Sequence, residues 1–333
     1  MLLAGIDIGG TKMEVSLFEV AERLENKEFD LHTGKQRYQA RKILSQRTPT
    51  DRHLGYEKVM VNLVELIRET VESASASLKD LRSIGLGLPG IIDPQTGIMK
   101  NVNTGIFIEQ DLIGDIKKGL ESDIEVNTAN DANCFALAEA VAGAGVKYRE
   151  ETGIEIADHI GVGIIVGTGC GGGIIRGGQM IVGRNGTAGE IGHSTLISGG
   201  HTCYCGRRGC AEQYVSGTGI ESAYAARIYS QIKERPNARQ IFEMAEEQEP
   251  LAKAIVKEFK ANLALFIANL TNILDANYFV LGGGVSLQPE VYNGLDDLLK
   301  RDTYNPGYAP KVYQNVLGDS AGGIGAAMLS LTK

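Results

Sequence analysis

Along this chain, short apolar runs that end in glycine alternate with longer stretches whose apolar residues recur three or four apart. Residues 2–8, LLAGIDI, read as an apolar strand with Asp7 near its end; Gly9-Gly10-Thr11-Lys12 follows, then a second strand through Val15 and Phe18. Strand, glycine turn, strand is a hairpin. Residues 22–50 are polar and partly basic, with Lys35, Arg37, Arg41, Lys42 and Arg47 around Tyr38, Ile43 and Leu44, and read as a long hairpin or excursion on the surface, centred on Gly34. Met60, Leu63, Val64, Ile67 and Val71 have helical spacing, which predicts a helix over 56–73. Strands are expected at 84–88 and 124–126, the second leading through Asn127-Thr128-Ala129-Asn130-Asp131-Ala132-Asn133 into the helix FALAEAVAGAG. Cys134 in that helix is expected to face the core. Residues 159–168, HIGVGIIVGT, are a further apolar strand, followed by a glycine run and IIRGGQMIV. Ile255, Val256, Phe259, Leu263, Ile267 and Leu270 share one face of a helix over 252–274. A strand at 278–281 ends in Gly282-Gly283-Gly284, and a helix of small residues runs from Gly318 to Leu331.

At 333 residues with 43% hydrophobic positions, the chain is long for one core and rich enough for two domains. A net charge of −8 argues against a phosphate-backbone footprint, so nucleic acid is not expected as a partner. No apolar run approaches the ~20 residues that span a bilayer. The start, MLLAGIDIGG, carries no basic region or cleavage site. A cytoplasmic protein without a membrane partner is the expectation.

The glycine turns carry the first candidate chemistry. Gly9 and Gly10 can turn backbone N–H groups toward phosphate oxygens, with a hydroxyl from Thr11, a counter-charge from Lys12 and a carboxylate from Asp7 suited to Mg2+; a plain hairpin turn uses the same residues. Gly167, Gly169 and Gly172 satisfy the dinucleotide fingerprint G-x-G-x-x-G. That fingerprint needs a helix next, whereas Gly177-Gly178 marks another hairpin, so the dinucleotide reading is rejected. The strand at 159–168, its glycine turn and the run IIRGGQMIV instead repeat the plan of residues 2–18, which predicts an internally duplicated fold with a nucleotide's phosphate tail clamped between the halves. At Gly282-Gly283-Gly284 a flat adenine or ribose can approach bare backbone. Asp131 stands at a strand-to-helix junction, a place for an N-cap or for a ligand-binding carboxylate at a strand's C-terminal end. The amides of Asn101 and Asn103 suit sugar hydroxyls or Asx-turns.

Residues 185–213, NGTAGEIGHSTLISGGHTCYCGRRGCAEQ, hold the densest chemistry. Cys203, Cys205 and Cys210 form C-x-C-x4-C, with Gly206 and Gly209 able to turn three thiols toward one point. With His193 they make a Cys3His zinc set, for which His201 is a competing ligand; a disulfide or free buried thiols are the alternatives. A reducing cytosol favours metal over disulfides. A closed four-ligand site is structural, and it would fix residues 189–193 and Glu212.

Taken in order, DIGGTK at 7–12, NDANC at 130–134, Gly167-Thr168-Gly169, Glu190-x-Gly192-His193, the cysteine stretch through Glu212, and LGGG at 281–284 resemble the ROK family of repressors and sugar kinases. The resemblance implies an actin-like ATPase (ribonuclease H-like) fold of two α/β domains around a cleft. The smaller would be 1–120, completed by the C-terminal helix at 316–333, and the larger 121–315, carrying the zinc-binding loop 193–210. It implies ATP with Mg2+, structural Zn2+ and a homodimer. Asp131 would be the general base for a hexose 6-hydroxyl. Asn101, Asn130, Asp131, Glu190, His193 and Glu212 would bind the sugar, His193 giving one ring nitrogen to zinc and the other to sugar. Asp7, Gly9, Gly10, Thr11, Lys12, Gly167, Thr168, Gly169, Gly172, Gly173, Gly283 and Gly284 would hold the nucleotide. NGTAGE, CYCG and GTGC resemble bacterial fructokinases and mannokinases, while NDANCFAL resembles N-acetylglucosamine kinases; glucose is a further candidate. The family's repressors place a helix-turn-helix ahead of such a chain, whereas here Asp7 already lies in the first strand. A kinase is therefore expected over a non-catalytic, sugar-sensing protein. Residues 22–50 are longer than the family pattern leads one to expect, and residues 101–105 give no signature for the sugar's O3 and O4 side.

Overall fold

A computed structural model describes residues 1–34, 36–93, 96–100, 105–228, 235–305 and 307–332. In chain order the elements are β1 (Leu2–Ile8), β2 (Lys12–Ala21), β3 (Phe29–Thr33), β4 (Gln36–Pro49), α1 (Tyr56–Ser73), β5 (Leu81–Leu88), β6 (Ile91–Ile92), β7 (Met99–Lys100), α2 (Leu112–Leu120), β8 (Glu125–Asn130), α3 (Asp131–Ala142) and α4 (Ala144–Thr152). There follow β9 (Ile160–Val166), β10 (Cys170–Arg176), β11 (Gln179–Met180), α5 (Gly217–Ala225), α6 (Ala238–Glu246), α7 (Pro250–Leu274), β12 (Tyr278–Gly282), α8 (Leu295–Asp302), β13 (Lys311–Gln314) and α9 (Ala321–Met328). They divide into two compact units: residues 1–159, 175–188 and 316–333, and residues 160–174 and 189–315. Residues 121–159 thus belong with the N-terminal unit, not with the second as expected. The reason is pairing: β8 completes the first sheet against β5, and carries α3 with it.

Among the described residues, the first unit holds a sheet in the order β3–β4–β2–β1–β5–β8. The chain's long polar excursion is its antiparallel edge, β3 and β4; Lys35 within it lies outside the described residues. β1, β5 and β8 run parallel. One apolar cluster joins Ile6, Ile8, Val15, Leu17, Leu86 and Leu88 of the sheet to Val59, Leu63 and Ile67 of α1 and Ile116 of α2. Each such side chain contributes ~1.5–3 kcal/mol through burial.

The packing of α9 is of another kind, backbone on backbone. A Cβ on Gly5 would overlap the Gly323 carbonyl oxygen, one on Gly85 the Ala326 carbonyl oxygen, and one on Gly325 the Cys134 carbonyl oxygen. Glycine at these places lets α9 lie directly on β1, β5 and α3. Glu139, fully buried in α3, secures the approach to α9: Oε1 accepts the Val316 and Leu317 N–H groups, both at 2.9 Å, and Oε2 accepts Ala144 N–H at 3.0 Å. Cys134 is buried as expected.

The second unit repeats the plan. Its strands lie in the order β10–β9–β12–β13, matching β2–β1–β5–β8, and β9, β12 and β13 are parallel. Gly177 and Gly178, with φ of 59° and 78° and counted with the first unit, turn the chain from the end of β10 into β11. Val162, Ile164, Phe279 and Leu281 of the sheet pack with Phe259, Leu263, Phe266 and Ile267 of α7.

Candidate functional site

The chemistry of the first unit collects at the carboxyl ends of its parallel strands, where open α/β sheets bind ligands. Asp7 pairs in register with Gly87 of β5, and Gly87 with Ala129 of β8. No side chain stands at the middle of that row; the Cys134 thiol lies beneath it, within 3.5 Å of where a Gly87 Cβ would be. Asp7 and Asp131 both act electrostatically on that thiol, and its burial, followed by those two carboxylates, pushes it well above the ordinary range. Two carboxylates therefore flank a glycine gap at one end of the sheet. Asp7 is itself raised above its ordinary 3.8, by burial first and then by Glu14, its partner across the β1–β2 ladder.

Asn130 caps α3, its Oδ1 accepting Ala132 N–H at 2.9 Å, and Asp131 is the first helical residue. The Asp131 carboxylate also accepts Ala132 N–H at 2.7 Å and is exposed. The cap of this helix is thus Asn130, which leaves Asp131 facing outward. In the Gly9-Gly10-Thr11 turn, Gly9 N–H donates to the Lys12 carbonyl at 2.9 Å, and Thr50 braces the turn by donating its hydroxyl to the Gly9 carbonyl at 2.7 Å. Thr11 and Lys12 are exposed beside it.

In the second unit the equivalent turn, Gly167-Thr168-Gly169, is held from below by the start of α5. Gly217 N–H donates to the Gly167 carbonyl at 2.7 Å and the Thr218 hydroxyl to the Thr168 carbonyl at 2.8 Å, while Ser216 caps the helix. Gly283, at φ 82°, lies so close that a Cβ there would crowd the Val166 carbonyl and the Gly167 nitrogen, so Gly283 and Gly284 sit exposed beside the turn. Gly172 and Gly173 are placed differently. Both are buried inside β10, and Gly172 lacks a side chain because Ile191 fills its space.

That same contact fixes the metal-type loop. Gly192 presses on the Cys170 carbonyl, where a Cβ would overlap, and Glu212, buried, accepts the Cys170 N–H at 3.0 Å. One residue of β10, Cys170, therefore anchors both ends of the loop through its N–H and its carbonyl. Between them, the ligating atoms of His193, Cys203, Cys205 and Cys210 all lie within 4.8 Å of one another. His193 Nδ1 and Cys203 Sγ are 3.6 Å apart, as are Cys205 Sγ and Cys210 Sγ. A tetrahedral ion with bonds of about 2.3 Å to sulfur spaces its ligands by about 3.8 Å, so the set fits such an ion; a disulfide needs about 2.05 Å. Gly206 and Gly209, with φ of 86° and 81°, make the turns. Hydrogen bonds from the Arg207 backbone lead in lowering the Cys205 thiol to about 6. Burial raises that of Cys210 to about 12. His201 does not join the set; its ring lies against Tyr214, 5.2 Å between centroids.

With Nδ1 toward the thiols, the His193 ring points Nε2 the other way, where the Tyr204 hydroxyl meets it at 3.0 Å. Tyr204, Thr50, Ser216 and Thr218 were not foreseen as site residues. The last two had a legible sign, a Ser-Gly-Thr-Gly helix start; the others had none. Glu190 is exposed at the head of the loop. Asn101, expected on the sugar, lies outside the described residues, as does Asn103.

Residues 3–333 match the ROK family. The chain belongs to the ROK family. It is 33% identical to an N-acetyl-D-glucosamine kinase of Mannheimia succiniciproducens over the whole of both chains. Among solved structures it is similar to a ROK hexokinase from Thermus thermophilus, with 28% identity, a TM-score of 0.77 and coverage of 99% of this chain and 97% of that one. A ROK family glucokinase from Streptomyces griseus, solved with glucose and AMPPNP, has 25% identity, a TM-score of 0.73 and 99% coverage of both chains. The fold is accordingly the actin-like ATPase fold of ROK sugar kinases. No helix among the described residues is long and apolar enough to cross a membrane.

The raised Asp7 has a consequence for stability. The folded chain holds this proton more tightly than the unfolded one, so the group favours folding below 3.8 and costs stability as pH rises through its folded value. Asp7→Asn is expected to melt above wild type at pH 7, with the gap closing as pH falls into the carboxylate range. Paired thermal melts at the two extremes check this; a lower Tm for the variant at pH 7 would contradict it.

Proposed function

We propose that this ROK protein is a cytoplasmic sugar kinase that transfers the γ-phosphoryl group of MgATP to the 6-hydroxyl of a hexose or N-acetylhexosamine. The observation that carries the reading is the pair of carboxylates, Asp7 and Asp131, flanking the bare Gly87 at the carboxyl ends of β1 and β8. Such a pair suits two tasks, one carboxylate near a phosphate-bound cation and one on a reacting hydroxyl. N-acetylglucosamine is favoured as the sugar, because relatives named for that activity match the chain from end to end.

In this scheme Asp131 accepts the proton of the sugar's primary hydroxyl while its oxygen bonds to the γ-phosphorus. The bond from that phosphorus to the β-phosphate oxygen breaks, and ADP leaves. Asp7 would hold the magnesium that accompanies ATP. The Gly9–Thr11 and Gly167–Gly169 turns offer N–H groups to phosphates, with Lys12 as counter-charge and Gly283 and Gly284 as bare backbone for the nucleoside. Asn130, Glu190, His193 and Glu212 bind ring hydroxyls. Gly172 and Gly173, being buried in β10, are left out of nucleotide contact and assigned to packing.

Zinc is the ion that three thiolates and one imidazole suit best. Bound there, it would set the orientation and proton position of His193, leaving Nε2 to face outward. The protein's own share is the anchoring of the loop on Cys170.

Two outcomes are expected. Asp131→Asn should lower kcat by about 10²–10⁴ while sugar affinity stays within about twofold, as read by steady-state kinetics beside calorimetric titration of the sugar; near-normal turnover would remove Asp131 from the chemistry. Cys205→Ser, or stripping metal with a chelator, should weaken sugar binding by about 10–100-fold and lower Tm, with bound zinc assayed in parallel. Full affinity in metal-free protein would refute the zinc assignment.

A further inference from the structure

Tyr204 stands between two ligands of the metal-type cluster, Cys203 and Cys205, in a stretch whose backbone is pinned. The Cys203 N–H donates to the Arg207 carbonyl at 2.8 Å and the Gly206 N–H to the Cys203 carbonyl at 3.0 Å. Its side chain, by contrast, is 69% exposed. That side chain nevertheless has a definite partner: the phenol oxygen lies 3.0 Å from His193 Nε2, and the two rings meet edge to face at 5.2 Å and 82°.

The chemistry of an imidazole gives this contact its meaning. A histidine that ligates through Nδ1 carries its remaining proton on Nε2, and that single N–H serves one good acceptor in the ring plane. Here Nδ1 faces the thiols and the Nε2 direction is taken by Tyr204. A sugar hydroxyl seeking the same N–H must replace the phenol. The exposed ring has room to turn aside without repacking a core, while the backbone beneath it stays in place.

We infer that Tyr204 competes with the substrate: its hydroxyl occupies the His193 hydrogen bond that a sugar hydroxyl needs, so the sugar binds by displacing it. The inference rests on the functional reading above, in which His193 binds sugar. It makes Tyr204 a determinant of affinity and of choice among sugars. A substrate with a hydroxyl placed to take the N–H recovers the lost bond, whereas one without it must leave Tyr204 where it is.

The test compares wild type with Tyr204→Phe, which keeps the ring and removes only the hydroxyl. N-acetylglucosamine and glucose are titrated calorimetrically without nucleotide, and turnover with MgATP is measured alongside. The variant is expected to bind sugar about two- to tenfold tighter, the worth of one neutral hydrogen bond, with kcat within about twofold and bound zinc unchanged. Monodeoxy sugars sharpen the result: for one of them, lacking the hydroxyl that uses Nε2, wild type and variant should bind alike. Equal or weaker binding by the variant of every sugar, with wild type active, would overturn the role of Tyr204 and leave the kinase reading intact. A wild type that neither binds nor phosphorylates any sugar would remove the kinase reading, and this inference with it. Should the Phe variant lose zinc, Tyr204→Leu, apolar and likewise without the hydroxyl, repeats the comparison.

Discussion

Close approach of backbone to backbone, at positions where a side chain has no room, is the constraint on which each unit depends. In the first, α9 rests on the sheet and on α3 through Gly5, Gly85 and Gly325, with the carbonyl oxygens of Gly323, Ala326 and Cys134 where their Cβ atoms would stand. In the second, Gly192 rests on the Cys170 carbonyl and Gly283 lies on the Val166 carbonyl and the Gly167 nitrogen. A packed interior does not stretch to accommodate even one added methyl group without displacement, so these contacts set positions to within fractions of an ångström. The 43 glycines of the chain are in part explained by this.

The chemistry follows from what those contacts hold still. In the first unit, α9 and the buried Glu139 fix α3, and α3 begins with Asp131. In the second, Cys170 is met at its carbonyl by Gly192 and at its N–H by Glu212, so the residues between them, including the four residues of the metal-type cluster, hang from one residue of β10. A metal bound by those four would stiffen the free part of the loop, which has little apolar core of its own. Rigidity of this kind lets a polar group meet a hydroxyl in one orientation instead of many, and transfers between oxygen and phosphorus are governed largely by positioning.

Much of this was readable in the sequence because it is written locally. Helical spacing located α1 and α7, since the apolar faces they bury are contiguous in the chain. The two strand-turn-strand segments announced the duplication, and the shared strand order bears it out. Cysteine spacing picked out three of the four clustered side chains, though which histidine completes the set was a matter of three-dimensional placement: His201 is nearer in sequence, yet its ring lies against Tyr214. What depended on distant partners was not legible. The assignment of β8 and α3 to the first unit turns on pairing with β5, some forty positions upstream, and periodicity says nothing of it. Gly172 looked like part of a phosphate turn because its neighbours are glycine, but it is small to admit Ile191. Tyr204 carried no signal at all, its significance arising only where a ring nitrogen of His193 ends.

Phosphoryl transfer from ATP to a sugar is read out by ADP release. Zinc-replete protein with MgATP would be assayed across N-acetylglucosamine, glucose, fructose, mannose and N-acetylmannosamine. Sugar-dependent ADP release is expected, with N-acetylglucosamine giving the highest kcat/KM. Folded, zinc-replete protein that binds these sugars but releases no ADP with any of them would contradict it, and would make the chain a sensor with the architecture of a kinase.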